Sequence, residues 1–508
     1  MKLLKRIAAC ALAVAMAASI TACEDEAPQS GTNPNGGMQS SSEDTAPVFT
    51  TDDETDREVK DISSASFTPD GHAGKVTLLS WYDISADQKG RDQTKVFLSE
   101  AYGGELEMIS CTPLIDSLLE KLAILISSDE SPDLVTNDAW LYPGNAAKGS
   151  FMALDEYIDY TSPLWSEMAP YIEANAYGGK HYYYPHRLMT NDMLNYSKKT
   201  IEENNLDDPY DLYREGKWTW DEWKRLMTEF CDKDEDRAGY FATDNTIVPF
   251  FATTGMTLIS VQPDGTVNNN VADPAITRAM VFLEGLYREG LAYSAEKSVL
   301  FQEFGPWIDP GVYPRCSDKI LFLCMEPEWS YIAETNAVQN PKGVENDIFG
   351  TPSDFAFVPY PRDPDADEYY QALDTFGFLV PKGAKNVKGA IDWINCYRVY
   401  DTDEGIIAQT RQEHIKPTPE YYTSGPNKGI ERWQITWSER EYDLWRELCN
   451  PNTFVFRAES AGGFNTEFWT MLVEPICDTA FRGDSWTQRR EEIMPKIEAT
   501  LNDFRAAS

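Results

Sequence analysis

Lys75-Val76-Thr77-Leu78-Leu79-Ser80-Trp81-Tyr82, the stretch Pro113 to Ile126, and Asp133-Leu134-Val135-Thr136 together decide the fold class. The first is a β-branched, apolar run that ends in an aromatic–acid loop, Trp81-Tyr82-Asp83, and reads as a strand. The second repeats Leu114, Leu118, Leu122 and Leu125 at helical spacing and reads as an amphipathic helix. The third is a short strand that leads into Asn137-Asp138-Ala139-Trp140. Strand, helix and strand in that order predict a parallel α/β unit. Ligands in such sheets sit beyond the carboxyl ends of the strands, where both aromatic–acid loops fall.

The pattern continues downstream. Tyr177-Gly178-Gly179-Lys180-His181-Tyr182-Tyr183-Tyr184-Pro185 reads as a turn followed by a strand that takes in the Tyr run. Trp218-Thr219-Trp220-Asp221-Glu222 opens a helix, and Thr219 with Glu222 three residues on has the form of a capping box. A helix is predicted over Pro274–Glu289. Lys319–Met325, Asp354–Pro361 and Phe376–Pro381 read as strands, Val387–Tyr400 as a helix, and Phe468–Phe504 as helices. No internal repeat or heptad is present.

Toward the start of the chain, Lys2, Lys5 and Arg6 precede an apolar run from Ile7 to Ile20 and then Thr21-Ala22-Cys23. A basic start, a short apolar stretch and small residues before a cut form a secretory signal. The run is shorter than the ~20 residues a membrane-spanning helix needs. Cys directly after the small residues resembles a bacterial lipobox, which implies that Met1–Ala22 are removed and that Cys23 carries a diacylglycerol anchor. Residues 23–70 then form an acidic, Ser-rich tether that cannot bury enough apolar surface to order itself. A flexible chain of that length reaches roughly 40 Å.

Composition narrows the options. The 508 residues leave a body beyond the size at which single cores stop growing, so two lobes are expected. A net charge of −39 argues against nucleic acid and against docking on anionic lipid, both of which attract basic proteins. Aromatic residues make up 12% of the chain, a generous share most of which serves the core, and Tyr and Trp also suit binding surfaces. Outside Cys10 and Cys23 the cysteines are Cys111, Cys231, Cys316, Cys324, Cys396, Cys449 and Cys477, an odd number with no Cys-x-x-Cys pair. Neither a disulfide framework nor a Cys-based zinc site is expected. His181 and His186 stand five apart, a spacing that does not stack them on one helix face, so no metal site is assigned.

The order of segments resembles the extracellular solute-binding proteins, family 1, of ABC-type importers, in the branch that includes maltodextrin-binding proteins. The strand ending in Trp81 and the strand Pro132-Asp133-Leu134-Val135 carry the likeness. So do Gly179-Lys180-His181-Tyr182-Tyr183-Tyr184-Pro185, Asn195-Tyr196-Ser197-Lys198 (with Ser where Asn is usual) and Met325-Glu326-Pro327-Glu328-Trp329 (without the usual Gly). Val358-Pro359-Tyr360-Pro361, Val380-Pro381-Lys382-Gly383, Asp403-Glu404-Gly405 and Phe468-Trp469 complete it. The likeness runs from about Lys75 to Phe504.

The resemblance implies an α/β, two-lobed periplasmic-binding-protein-like fold with an interlobe ligand cleft and a hinge. Lobe one is placed at 71–188 and 371–425, and lobe two at 189–370 and 426–508. It implies a monomeric, lipid-anchored carrier on the extracellular face of the cell membrane that captures an oligosaccharide and delivers it to ABC transporter permease subunits. No cofactor, no metal and no catalysis are expected. Aromatic rings stack on sugar faces while polar side chains bond the hydroxyls, so the expected ligand residues are Trp81, Asp83, Asn137, Asp138, Trp140, Tyr184, Arg187, Glu328, Trp329 and Trp469. Trp218, Trp220, Trp223 and Trp393 are expected to pack helices. The alternatives are a carrier for a non-sugar solute and a surface-anchored glycoside hydrolase. The hydrolase needs two carboxylates across a cleft, and with 83 Asp and Glu the sequence leaves such a pair open.

Overall fold

The computed structural model describes residues 71–80, 98–99, 101–111, 115–137, 141–189, 192–232, 237–242, 247–294, 319–325, 327, 349, 351, 353–416, 436–464 and 466–507. The signal, Cys23 and the tether lie outside them.

The strands are β1 (Lys75–Ser80), β2 (Glu105–Ser110), β3 (Leu134–Asn137), β4 (Tyr184–Met189), β5 (Met193–Ser197), β6 (Ala238–Ala242) and β7 (Ile259–Val261). They continue as β8 (Val267–Asn269), β9 (Ala292–Ser294), β10 (Ile320–Met325), β11 (Phe355–Val358), β12 (Tyr370–Gln371), β13 (Asp374–Leu379) and β14 (Val455–Phe456). One five-stranded sheet runs β2-β1-β3-β13-β4 and the other runs β9-β6-β10-β5-β11. The two orders are the same. In each, the second, first and third strands of the lobe lie parallel, an antiparallel strand follows, and the fourth strand closes the edge. The antiparallel strand is β13 in the first sheet and β5 in the second, and each arrives directly from the other lobe.

Burial follows from position in the sheet. β10 is central and covered on both faces, so Ile320 to Cys324 read as a continuous apolar run and are all buried. β2 is an edge strand in which Leu106 is buried while Glu105 and Glu107 face water, and Glu107 pairs with Lys75 on β1. That acid–apolar alternation after Gly103-Gly104 hid β2 from the sequence reading. β4 starts at Tyr184, so Tyr182 and Tyr183 precede the strand. The backbone instead turns at Gly178 and Gly179, both with positive φ.

Helix Ile115–Ser127 packs on β1, and helix Val387–Thr402 covers β1 and β4. In lobe two, helix Trp220–Phe230 packs on β6, while helices Pro274–Glu289 and Thr466–Arg482 pack together and on β9. Pro274–Glu289 begins and ends as expected because Asp273 accepts from the Ala275 N–H at one end and Gly290 takes a left-handed turn at the other. Trp223, fully buried, packs among Phe250, Phe282, Tyr240 and Tyr360. Trp220 and Trp393 are likewise buried in their helices, whereas Trp218, ahead of its helix, is buried against Phe322 of β10 with its indole N–H donated to the Pro359 carbonyl (2.8 Å). The six described cysteines are free thiols, and Cys316 lies outside the described residues.

The capping box expected at Thr219 does not form. Thr219 precedes the helix, but its side chain makes no cap bond. The Trp220 N–H donates to the Arg362 carbonyl, and Glu222 is drawn to Arg225 instead. The corresponding carboxylate arrangement is found at Ser438 and Glu441, where the Ser438 N–H and hydroxyl both donate to the Glu441 carboxylate.

That carboxylate anchors helix Glu439–Leu448, which ties the lobes together. Toward lobe one, the Tyr442 hydroxyl donates to the Ile407 carbonyl (3.1 Å), and Arg411 pairs with Glu439 and Asp443. Toward lobe two, Arg440 donates to Asp208 (2.7 Å) and Lys198 to Glu441 (3.1 Å). Glu441 is 1% exposed. Burial works to raise its pKa, but Lys198, the Ser438 hydroxyl and Arg440 outweigh burial and hold the carboxyl below its usual value. Replacing Glu441 by Ala leaves Lys198 and Arg440 without their shared partner. The expected loss is about 3 kcal/mol, read as a lowered midpoint of urea unfolding.

Candidate functional site

The strand directions place the site. β3 and β4 both run antiparallel to β13, so their carboxyl ends lie at the same end of the first sheet. Met189 ends β4 and pairs with Asp374, the first residue of β13. Only residues 190–192 then separate Met189 from Met193, the first residue of β5, which pairs with Met325 at the carboxyl end of β10. Three residues span at most ~14 Å. β11 leaves at the same end, since Val358 pairs with Leu194, and the segment 359–373 returns from there to β13. The carboxyl ends of both sheets therefore converge where the chain crosses between lobes, and this is where a ligand is held in an α/β sheet.

The lobes also touch along a seam. After β3, Tyr142, Pro143 (joined by a cis bond) and Gly144 meet the loop that precedes helix Thr466–Arg482. A Cβ on Gly463 would collide with the Tyr142 carbonyl, and one on Gly144 with the Gly463 carbonyl. Beside this contact, the Gly179 N–H donates to the Pro263 carbonyl (2.9 Å), the Tyr171 hydroxyl donates to the Pro451 carbonyl (3.1 Å), and the Tyr177 ring meets Phe504 edge-on.

Glu459 pins the seam loop. Its carboxylate accepts from the Leu258 N–H (2.8 Å), the Ile259 N–H (3.2 Å) and the Ala461 N–H (3.0 Å). Burial pushes its pKa up to about 7, and the backbone donors offset only part of that. Glu459, Gly463 and Tyr142 were missed from sequence. The Gly462-Gly463 pair is the one sequence signal that could have indicated a close approach.

The expected ligand residues are placed unevenly. Trp81, Asp83, Asp138, Trp140, Glu328 and Trp329 lie outside the described residues. Asn137 ends β3, opposite Gly377, at the converging end of the sheet. Trp469 stands in the first turns of the helix that begins at the seam, with 9% of its surface exposed and the rest packed in the core. Arg187 is half-buried on β4, opposite Phe376. Tyr184 is a correction. It opens β4, at the end of the strand away from the crossing, and is fully buried. Its hydroxyl donates to the Ile158 carbonyl (3.2 Å) and its ring meets Trp165 edge-on, so it packs lobe one instead of facing a cleft. The two histidines are occupied by carboxylates: His181 by Asp155 (2.7 Å) and Glu173 (3.1 Å), and His186 by Asp401. Among the described residues no cluster of three or more metal-ligating side chains occurs.

No family model matches the chain, and no curated protein matches it in sequence. Solved structures do match in shape. UgpB from Mycobacterium tuberculosis, in complex with glycerophosphocholine, aligns over 85% of this chain and 99% of its own, with 15% identity and a TM-score of 0.56. The ABC substrate-binding protein Lmo0181 from Listeria monocytogenes, in complex with cycloalternan, aligns over 85% and 99%, with 13% identity and a TM-score of 0.54. Maltose-bound T. maritima MalE3 aligns over 84% and 99%, with 14% identity and a TM-score of 0.52. At these identities the likeness is one of fold. The chain has the two-lobed α/β fold of the periplasmic-binding-protein type.

Two outcomes are expected at the seam. Gly463→Ala forces the loop off Tyr142, at a cost of about 1–3 kcal/mol. It should lower the melting temperature and widen the interlobe arrangement, read as a larger radius of gyration in X-ray scattering. Glu459 should titrate near pH 7 by carboxyl NMR. Its folded pKa lies above the unfolded value, so it supports the fold fully below pH 4.5 and loses that contribution as the pH rises through about 7.

Proposed function

We propose that the chain is a lipid-anchored extracellular solute-binding protein that captures an oligosaccharide between its lobes and hands it to the permease of an ABC transporter. The observation that carries the reading is the convergence of both sheets' carboxyl ends on the crossing between lobes. That arrangement offers a ligand contacts from two bodies joined by short segments. A ligand held by both lobes favours the arrangement in which both reach it, and this couples capture to a change the permease reads. Several solved proteins of the same fold are described with bound saccharides, cycloalternan and maltose among them. Their fold neighbours are binding proteins, and the reading assigns no catalysis to this chain.

In this reading Trp81, Trp140, Trp329 and Trp469 supply stacking faces, and Asp83, Asn137, Asp138, Arg187 and Glu328 supply hydroxyl partners. Cys23 holds the mature chain to the membrane surface, and the acidic tether lets the body reorient above it.

A second reading has one specific observation behind it. UgpB, of the same fold, is described with glycerophosphocholine, a solute that is not a sugar. A non-sugar solute is therefore the alternative ligand class.

Titration of intrinsic Trp fluorescence with a panel of starch and plant oligosaccharides, with chromatography of the sugar afterwards, decides between these readings. The expected result is a saturable change with the sugar intact, weakened roughly tenfold or more in Trp329→Ala and Trp469→Ala. Shortened sugar would make the chain a hydrolase. No response to any of these sugars, with a saturable response when glycerophosphocholine is titrated instead, would establish the second reading. For the anchor, Cys23→Ala should move the protein from the detergent phase to the aqueous phase in phase partitioning and abolish labelling by fatty acid.

A further inference from the structure

Beside the second crossing lies a cavity of about 260 Å³. That is slightly below the range of pockets for drug-sized ligands and suits a single ring. Its walls are aromatic. The Tyr213 and Tyr369 rings stand 6.1 Å apart at a tilt of 59°. Trp218 backs the cavity from behind: it is 2% exposed, its ring packs on Phe322 and its indole N–H is donated to the Pro359 carbonyl (2.8 Å), which fixes the wall in place. Gly216, also on the lining, has a φ of +69° and open space where a Cβ would sit.

Two guanidinium groups reach the cavity, and they differ. Arg214 is paired with Glu447, which also accepts from the Tyr213 hydroxyl (3.1 Å). Arg362 is held only through its backbone: its N–H donates to the Trp218 carbonyl (3.1 Å), and its carbonyl accepts from the Trp220 N–H (3.1 Å). Among the described residues no side chain or carbonyl bonds its guanidinium. In a chain of net charge −39, a guanidinium that lines a cavity without a carboxylate partner is unusual.

We propose that this cavity is a second ligand site, for a small ring compound carrying one carboxylate. The fork of Arg362 matches a carboxylate in two-pronged geometry. The aromatic walls cover the ring faces, and Glu447 offers an acceptor to a ring hydroxyl. A neutral sugar leaves the guanidinium without a partner, and a small inorganic anion leaves the aromatic walls bare. Lobe two, the crossing segment and the bridging helix supply its lining and lobe one supplies none of it, so a ligand here does not need both lobes. It does not depend on the transport role proposed above.

The test is calorimetric titration of the full chain with D-glucuronate, 4-hydroxybenzoate, D-glucose and acetate. Saturable binding of glucuronate or of 4-hydroxybenzoate is expected, and which of the two binds tells a sugar ring from an aromatic one. Binding should weaken at least tenfold in Arg362→Met and by less in Arg362→Lys, with the circular dichroism of both variants unchanged. Glucose and acetate should not bind there. The proposal is overturned if neither ring acid binds, if acetate binds as well as they do, or if folded Arg362→Met binds them like the parent chain. Oligosaccharide binding measured on the same Arg362→Met protein should be unaltered, which keeps this site distinct from the cleft.

Discussion

Each sheet of this protein is completed only by a strand that the chain enters straight from the other lobe. The slot between the third and fourth strands is filled in lobe one by β13, reached on the return from lobe two, and in lobe two by β5, reached on leaving lobe one. Backbone groups buried in a sheet must be paired. The exchanged strands are therefore obligatory, and they place the lobe junction at the carboxyl ends of the parallel strands. The position of the crossings, the location of the cleft and the shortness of the connections all follow from that one pairing constraint.

The contacts laid over this junction are of two physical kinds. The bridging helix is polar and charged on both sides: Arg411 reaches it from lobe one, while Lys198 and Asp208 reach it from lobe two. Its most protected member, Glu441, is satisfied by several donors at once, which is what makes a buried carboxylate tolerable. The seam is different. It is a close approach of backbone to backbone, possible because Gly144 and Gly463 carry no Cβ. One contact is held by electrostatics, and the other is limited by sterics.

Much of the scaffold was legible in the sequence because its local signals agree with its tertiary role. Pro274–Glu289 has a cap, a first-turn proline and a terminal glycine, and β10 is an unbroken apolar run. The failures are also physical. β2 is a half-exposed edge and carries two acids, so it lacks the composition of a core strand. Thr219 has the residues of a capping box, but the distant Arg362 carbonyl takes the N–H at the start of the helix, an override invisible to local reading. Tyr184 illustrates the limit for the site. An aromatic residue beside a turn looks like a binding face until strand direction shows which end of the sheet it occupies. The aromatic–acid loops at Trp81 and Trp140 rest on that directional argument, since each follows a strand of the parallel unit. Arg362 and Glu459 sat in no motif, because their character comes from what surrounds them in space.

The strand exchange also governs how the chain can fold. Val135 on β3 finds its partner at Leu379, and Tyr184 on β4 finds its partner at Phe378, so lobe one waits for sequence that lies beyond nearly all of lobe two's sheet. Pairings of such separation carry a large loop-closure cost before they return any stabilisation, and they slow folding. Lobe two is better placed: β5 is already in hand when β6, β10 and β11 emerge. The sheet of lobe two can thus close before that of lobe one, although helix Thr466–Arg482, which packs on β9, is made last. Until β13 docks, β3 and β4 present unpaired edges, a window in which a nascent chain is exposed to mispairing with its neighbours.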